Sequence, residues 1–186
     1  MPSLYQRLLG DDYALLPQEL ASFHATIGEK SFSGMATVRA AKNPVAKCVA
    51  MLSALPLHDA EVPIAFTLKT DKGSETWVRR FGSQRMVSRL AYYEGKIREQ
   101  LGLITLYSSV CVENGFLRMK VQSASFLRFI PLPLWMLPVV VADEHATEGR
   151  LNFNVSVFWG RLGRLVEYSG YLDVGGAETL LAGAPQ

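Results

Sequence analysis

The chain has 186 residues, of which 49% are hydrophobic and 19% are charged, and its formal net charge is +2 at pH 7. This length supports one domain with a substantial core, and the apolar content excludes an intrinsically disordered protein. The near-neutral charge and the scattered lysines and arginines argue against a surface for binding nucleic acid. We therefore expect a single domain over residues 1–174 and a flexible tail, rich in Gly and Ala, over residues 175–186.

The cysteines and the apolar runs indicate where the protein works. Cys48 and Cys111 lack CxxC spacing and lie in apolar segments, which is typical of small buried residues in a reducing compartment. Residues 1–15 contain no continuous apolar stretch of the kind found in secretory signals. The longest apolar run, residues 126–142, is interrupted by Arg128 and three prolines, so it is a poor transmembrane helix. We expect a cytoplasmic protein without a transmembrane segment.

Three short helices are predicted in the first third of the chain. Residues 3–9 form the first, which Ser3 caps, and residues 16–27 form the second. Residues 45–55 form the third, with Asn43 as its cap. Helical spacing predicts these buried faces: Leu20, Phe23, His24 and Ile27 in the second helix, and Val45, Cys48, Val49, Leu52 and Leu55 in the third.

Strand periodicity begins at residue 34 and dominates from residue 61 onward. Residues 62–93 read as a three-stranded meander, and the sequence Glu113-Asn114-Gly115 predicts a tight hairpin. Residues 94–101 fit either a charged strand end or a short exposed helix. The predicted strands are 34–41, 62–69, 75–81, 86–93, 103–112, 116–126, 139–146, 151–159 and 165–174.

The fold class that follows is α+β and mainly antiparallel β. Short turns require antiparallel neighbours, because parallel strands need long crossovers. About nine such strands curl into a curved sheet or a barrel, and the short N-terminal helices cover or plug it. Either form has a concave interior suited to a small ligand.

Arginines on adjacent strands are the first candidate site. On the strand that begins at Glu75, the side chains of Trp77, Arg79 and Phe81 share one face, so Arg79 enters the interior with the aromatic residues. A buried guanidinium needs an anionic or hydrogen-bonding partner, which is either another residue or a ligand. Arg80 is expected on the solvent face, and Arg89 fits either an exposed ion pair or the cavity wall.

Acid–base residues are the second candidate. Asp143 and His145 share one face of a strand and Glu144 takes the other, which is either a solvated strand end or the start of a proton-transfer site. His24 is either a hydrogen-bonded core residue or a polar group at the edge of the cavity. No hydrolase, Walker or Rossmann motif is present, and the three histidines are not paired. We therefore expect no metal and no cofactor.

Two further segments are candidates for contact with a ligand. Gly170 in the last strand indicates close approach by a ligand or a packed side chain, or a bend in the sheet, and Tyr168 lies beside it. The sequence PLPLWMLP at residues 131–138 exposes Trp135 as a lid, a plug of the barrel, an oligomer contact or a membrane anchor.

Several motifs together resemble a known family. The runs LPQELASFH, GMATV, WVRRFG, Ser88-Arg89-Leu90, PLPLWMLP, FNVSV and GRLVEYSGYL resemble a bacterial domain of unknown function. That domain occurs alone, or at the C-terminal end of longer chains whose first part looks like an NAD(P)-binding saccharopine-dehydrogenase or epimerase domain. The resemblance implies that these residues belong to the family pattern: Leu16, Pro17, Phe23, His24, Gly34, Trp77, Arg79, Phe81, Gly82, Trp135, Pro138, Gly163, Tyr168 and Gly170.

Three functions remain open at this point. The first is binding of a small, largely apolar ligand with an anionic or carbonyl group, held by Arg79, with Trp77, Tyr168 and Trp135 lining or closing the pocket and Arg89 as a further candidate. The second is an isomerase, cyclase or hydrolase that uses His24, Asp143, Glu144 or His145. The third is an accessory module that docks an NAD(P)-dependent oxidoreductase. A homodimer is compatible with all three.

Overall fold

The structure is a computed structural model that describes residues 2–175. Its helices are α1 (Leu4–Leu9), α2 (Gln18–His24) and α3 (Pro44–Leu52), and short 3-10 turns occupy Gly10–Leu15, Leu134–Met136 and Gly160–Leu162. Among these residues, no helix has both the length and the apolar character needed to cross a membrane. Nearly all of the predicted tail, residues 176–186, lies outside the described residues, so its flexibility stays a prediction.

Eleven strands make up the rest of the fold. They are β1 (Glu29–Ala40), β2 (Ala60–Asp71), β3 (Ser74–Phe81), β4 (Gln84–Tyr93), β5 (Lys96–Leu101), β6 (Ile104–Glu113), β7 (Phe116–Phe126), β8 (Ile130–Pro131), β9 (Val139–Thr147), β10 (Arg150–Trp159) and β11 (Gly163–Asp173).

The strands form a closed antiparallel barrel. Their order is β6-β5-β4-β3-β2-β1-β11-β10-β9-β7, and pairing of β7 with β6 closes the ring of ten. β8 lies outside the ring and pairs only with the end of β7. The prediction of a mainly antiparallel β fold with few helices is thus confirmed. The predicted count of about nine strands misses two of the eleven observed. One is the brief β8, and the other is β5, which lies in residues 94–101, where the sequence left a short helix as an alternative.

Local sequence explains the hairpins and the inward face of the strands. The two-residue turns at Lys72-Gly73 and Asn114-Gly115 have positive φ at both positions, as type I′ turns require. Along β3 the buried residues alternate with more exposed ones, and they are Glu75, Trp77, Arg79 and Phe81. Because neighbouring strands continue this alternation, the barrel interior is filled by every second residue.

The helices close the two ends of the barrel differently. A capping box between Ser3 and Gln6 stabilises the start of α1. α1 packs on β4 and β6, and α2 packs on β9 and β10. Together they plug one end, which we call the helix end. α3 connects β1 to β2 at the opposite end, which we call the α3 end, and packs mainly on β11. The prediction that N-terminal helices plug the barrel is confirmed for α1 and α2.

The predicted faces of two helices need correction. In α2, Leu20, Phe23 and His24 are buried, but Ile27 follows the end of the helix and is 85% exposed. In α3 the buried residues are Ala46 and Ala50, whereas Val45, Cys48 and Leu52 are exposed. Of the predicted face, only Val49 and Leu55 pack on the core, and Leu55 follows the end of the helix. α3 contacts the barrel through small residues because it lies on the rim, so its larger apolar side chains face solvent. Cys111 is also exposed, contrary to expectation.

Two glycines allow β1 and β11 to approach each other closely. A Cβ atom at Gly170 would lie 2.0 Å from the backbone oxygen of Met35, and a Cβ atom at Gly34 would lie 1.8 Å from that of Tyr171. The mid-strand glycine at position 170 is therefore explained by the neighbouring backbone. A ligand is not needed to account for it.

We expect Gly170→Ala to lower the free energy of unfolding by at least about 2 kcal/mol, because backbone atoms of β1 must move to admit the methyl group. Urea unfolding followed by circular dichroism measures the loss. Ser169→Ala, at the exposed neighbouring position, is the control and is expected to change stability by less than about 0.5 kcal/mol. A Gly170→Ala variant as stable as this control would contradict the close approach.

Candidate functional site

The interior of the barrel contains an apolar cavity with a free volume of about 120 Å³. Its wall runs from Tyr5 and Phe23 at the helix end to Val49 and Trp159 at the α3 end. An engineered protein cavity of roughly 150 Å³ holds benzene, so this volume suits a molecule of about that size. The polar side chains on the wall are those of Tyr5, Ser53, Arg79, Glu99, Glu144 and Tyr168.

Two glutamates lie in one row across three strands. Glu75 on β3 and Glu99 on β5 are both paired with Leu90 on β4, and both are at least 93% buried. The Glu75 carboxylate accepts a hydrogen bond of 2.8 Å from the Trp77 indole. Among residues 2–175, no side chain donates a hydrogen bond to Glu99 or forms an ion pair with it. Burying the Glu99 carboxylate costs free energy unless hydrogen-bond donors or cations lie close to it.

Among the described residues, Arg79 is the one arginine on the cavity wall. It is 7% exposed, and its Nη1 donates a hydrogen bond of 3.1 Å to Ser88 Oγ. The guanidinium carbon lies 4.8 Å from the centre of the Trp77 ring and 5.4 Å from that of Phe66, which are cation–π distances. A guanidinium has five N–H donors. Within the described chain only one of them reaches another side chain, so donors remain for a molecule in the cavity.

A histidine and a glutamate from distant parts of the chain meet inside the barrel. Nε2 of His24 lies 2.8 Å from Oε2 of Glu144, and the His24 side chain is fully buried while that of Glu144 is 18% exposed. The ring of His24 packs 3.8 Å from that of Tyr5 and 6.2 Å from that of Trp77, measured between ring centroids. Glu144 is therefore the member of the pair that faces the cavity, with His24 behind it.

Burial perturbs the acidic groups around this pair. Burial raises the pKa of the Tyr5 hydroxyl well above its usual value, and the charges of Glu144 and Glu75 add to the effect. Burial also raises the pKa of Tyr168, although the nearby charge of Arg79 opposes the rise. Both phenols remain protonated at neutral pH and act as neutral hydrogen-bonding groups.

The Glu75 carboxyl is perturbed in the same direction. Burial raises its pKa and the charge of Glu144 adds to this, whereas His24 and the hydrogen bond from Trp77 act in the opposite sense. Within residues 2–175, the carboxyl groups of Glu75, Glu99 and Glu144 thus share the interior with the guanidinium of Arg79 and with the imidazole of His24, which is bonded to Glu144. The site has an excess of acidic groups, which disfavours an anionic guest.

The structure brings together most of the residues proposed for ligand binding, but not all. Trp77, Arg79 and Tyr168 line the cavity. Arg89 is exposed on the outer surface of β4. Trp135 is 81% exposed and is not part of the cavity wall, so it does not plug the barrel.

Three of the four proposed acid–base residues lie on β9, where they divide between its two faces, and the fourth, His24, lies on α2. Glu144 points inward to His24. The side chains of Asp143 and His145 lie on the other face, where Asp143 accepts a hydrogen bond of 3.2 Å from Asn154 and the His145 ring packs 4.8 Å from that of Phe116. The contact between His24 and Glu144 joins residues 120 positions apart in the chain. No local sequence pattern could have predicted it.

Sequence reasoning did not assign a site role to Glu75, Glu99 or Tyr5. Glu75 was in phase with Trp77 and Arg79, so alternation alone was enough to place it in the interior. Glu99 lies in β5, the segment whose structure the sequence left open, and Tyr5 enters through helix packing. Within residues 2–175, no cluster of three or more His, Cys, Asp or Glu is placed to hold a metal ion.

These features define a class of protein: an antiparallel β-barrel with a small apolar cavity that contains buried charged groups. The chain belongs to the family described as a domain of unknown function, DUF4166, whose model matches residues 16–172. The resemblance to a domain of unknown function is confirmed. Its association with saccharopine-dehydrogenase-like chains stays a prediction.

Comparison with solved structures finds a protein of unknown function from the DUF3598 family of Nostoc punctiforme PCC 73102. It is 10% identical, with a TM-score of 0.43, and the match covers 78% of this chain. The chain spans about half, 46%, of the length of that structure. The comparison with curated proteins found no match.

We expect stability to fall as pH rises through the raised pKa of Glu75. Below pH 4.5, the usual pKa of the group, the carboxyl is protonated in both folded and unfolded chains. Above it the unfolded chain releases the proton first, so folding costs about 1.4 kcal/mol for each unit of pKa elevation. Glu75→Gln stays neutral and keeps an acceptor for Trp77, so it should be more stable than the wild type at pH 7.5 and not at pH 4.

Urea unfolding at intervals between pH 4 and 8 measures this difference. Glu61→Gln, at an exposed position on β2, is the control and should parallel the wild type. A Glu75→Gln variant whose stability follows the wild-type pH profile would show that Glu75 does not titrate with a raised pKa.

Proposed function

We propose that the barrel binds a small, largely apolar and uncharged molecule whose carbonyl oxygen accepts hydrogen bonds from Arg79. The observation that carries this proposal is a guanidinium on the wall of an apolar cavity with a single side-chain partner, Ser88. A carbonyl oxygen supplies an acceptor without adding charge. Hydrogen bonds from an ionised donor are about twice as strong as those between neutral groups.

The charge balance of the cavity favours a carbonyl over an anion. A carboxylate guest would bring a fourth acidic group beside Glu75, Glu99 and Glu144, with Arg79 as its main counter-charge. In a poorly solvated interior, like charges repel strongly. A neutral ketone or aldehyde avoids this cost and still uses the free donors of Arg79.

Aromatic residues around Arg79 provide the apolar part of the site. Trp77 stacks beside the guanidinium, and Tyr168 packs on Phe81 at 5.4 Å and Phe153 at 6.2 Å between ring centroids. Tyr168 lines the cavity, and its hydroxyl has no side-chain partner in the described chain. It therefore offers a second hydrogen bond to the guest.

Cyclohexanone is a suitable probe because a molecule of seven heavy atoms is close in volume to the cavity of about 120 Å³. We expect millimolar binding, detected by saturation-transfer NMR, since even the best small ligands gain at most about 1.5 kcal/mol per heavy atom and most gain much less. Arg79→Met should weaken binding roughly tenfold or more, because the lost hydrogen bond involves a charged donor. Arg89→Met, which removes an exposed arginine from the adjacent strand, should bind as the wild type does.

Cyclohexanecarboxylate tests the sign of the charge, and we expect it to bind more weakly than the ketone at pH 7.5. Melting temperatures of both variants separate binding from folding. If Arg79→Met melts much lower than the wild type yet binds cyclohexanone equally well, Arg79 is a structural residue and the proposal fails.

A second candidate function, proton transfer at carbon, is favoured by the pair of His24 and Glu144. Glu144 lines the cavity, and a hydrogen bond of 2.8 Å to His24 orients its carboxylate. In this scheme Glu144 removes a proton from the carbon next to the carbonyl, Arg79 stabilises the negative oxygen, and the same proton or one from solvent returns. Such a step is the core of an isomerase reaction, and it needs no cofactor.

Exchange of the α-hydrogens of cyclohexanone for deuterium in D₂O tests this second function by NMR. We expect the wild type to exceed the buffer rate and Glu144→Gln to lose at least a hundredfold of the excess, since general-base catalysis contributes about 10²–10⁴-fold. Asp143→Asn, on the outer face of the same strand, should retain the wild-type rate. Binding of cyclohexanone without exchange above the buffer rate would leave the barrel as a binding protein only.

A further inference from the structure

The α3 end of the barrel carries most of the large apolar side chains that are exposed in the described chain. We call this set the apolar rim, and it consists of Val45, Met51, Leu52, Leu103, Leu127, Phe129, Ile130, Leu134, Trp135, Val139 and Phe158. At the helix end the corresponding residues are Leu15, Ile27, Tyr92 and Tyr93. Phe129, Leu134 and Trp135 are each more than three-quarters exposed, which is unusual for large apolar residues.

Backbone contacts join the parts of the apolar rim. The amide of Leu103 donates a hydrogen bond of 3.0 Å to the carbonyl oxygen of Leu52, and the amide of Leu127 donates one of 2.8 Å to that of Leu103. Val139 is paired directly with Phe158 across β9 and β10. Residues 127–139 connect these two groups along the chain. The rim is therefore one surface assembled from α3, the β5–β6 turn and the long β7–β9 connection.

The connecting segments at the two ends of the barrel have opposite charge. At the α3 end they contain four basic residues and one acidic residue, a net charge of +3: Lys42, Lys47, Arg128, Arg161 and Asp59. At the helix end, over residues 2–28 and the turns, they contain two basic and five acidic residues, a net charge of −3: Arg7, Lys72, Asp11, Asp12, Glu19, Glu94 and Glu148.

The positive charge of the α3 end is available to a partner. Asp59 accepts a hydrogen bond of 2.7 Å from the backbone amide of Ala40, so its carboxylate is held against the barrel. Glu167, on the part of β11 closest to the α3 end, forms ion pairs within 3.7 Å with two arginines, Arg39 and Arg164. Lys42, Lys47 and Arg161 are exposed.

We propose that the apolar rim docks on the surface of a membrane that contains anionic phospholipids. Aromatic and aliphatic side chains at the tips of short loops enter the headgroup region, and neighbouring lysines and arginines contact the phosphates. Arg128 lies between Leu127 and Phe129 in the sequence, which places a basic group within the apolar surface itself. The acidic helix end then points away from the membrane.

Charge also decides between a membrane and a second copy of the chain. A dimer formed through the apolar rim would bring two surfaces of net charge +3 together, which opposes association. An anionic bilayer matches both the apolar and the basic character of the surface. Leu132 and Pro138, in the β7–β9 connection, also line the cavity, so the docked rim would set the cavity beside the lipid. The docking does not depend on the proposed ligand.

Sedimentation of the protein with sucrose-loaded vesicles tests the proposal. We expect binding to vesicles of phosphatidylcholine with 30% phosphatidylglycerol, weakening with added salt, and little binding to phosphatidylcholine alone. Phe129→Ser/Trp135→Ser should reduce binding at least tenfold. The matched control is Leu15→Ser/Ile27→Ser, which removes two exposed apolar residues from the helix end and should leave binding unchanged.

Charge variants provide an independent reading. Lys47→Gln/Arg161→Gln should weaken binding about 25-fold at low salt, since each basic side chain near an anionic surface contributes about fivefold. Lys72→Gln/Arg98→Gln, on exposed residues towards the other end, should have little effect. All of these sites are exposed, and melting temperatures check that the variants fold.

Three outcomes would overturn the proposal. One is the absence of binding to anionic vesicles at low salt, and another is an equal loss in the control and rim variants. The third is self-association in sedimentation velocity that Phe129→Ser/Trp135→Ser abolishes while vesicles bind nothing, which would make the rim a homodimer contact.

Discussion

A guanidinium held inside an apolar barrel is the constraint around which the interior is arranged. Arg79 is on an inward position of β3, and its neighbours there are aromatic. An unpaired buried charge would cost several kcal/mol, so the surroundings must supply acceptors and negative charge. Ser88 supplies the hydrogen bond, Trp77 and Phe66 supply ring faces, and Glu75, Glu99 and Glu144 supply carboxyl groups on the same interior.

The barrel interior is also not completely filled by side chains. Hydrophobic cores pack densely, and a void loses the contacts that its lining would otherwise make. Here a cavity of about 120 Å³ remains next to Arg79, whose guanidinium bonds only the Ser88 side chain within residues 2–175. A guest that fills the void and accepts from Arg79 would remove both deficits. The proposed guest would thus account for both the polar interior and the empty volume.

The sequence was sufficient for features that depend on local pattern. Alternation placed Trp77, Arg79 and Phe81 inside, and turn residues such as Asn114-Gly115 located the hairpins. The fold class follows from these features, since short turns force antiparallel neighbours. Closure into a ring of ten depended on pairing between β7 and β9, which lie on either side of a long irregular connection.

Features that depend on tertiary packing could not be predicted from local sequence patterns. His24 and Glu144 meet only because α2 packs on β9 and closes the barrel. The third helix has the apolar pattern of a buried element, yet it lies on the rim and contacts the barrel through Ala46 and Ala50. Trp135 is exposed for a similar reason, because the β7–β9 connection presents Leu132 and Pro138 to the cavity and leaves Trp135 in solvent.

The proposed role of Arg79 is that of polar anchor for a molecule in the barrel. A crystal structure of the protein soaked with cyclohexanone tests it most directly. We expect ring density inside the barrel against Trp77, with the carbonyl oxygen about 2.9 Å from an Arg79 nitrogen. Clear density for the ketone elsewhere, with the Arg79 guanidinium still bonded only to Ser88, would contradict it.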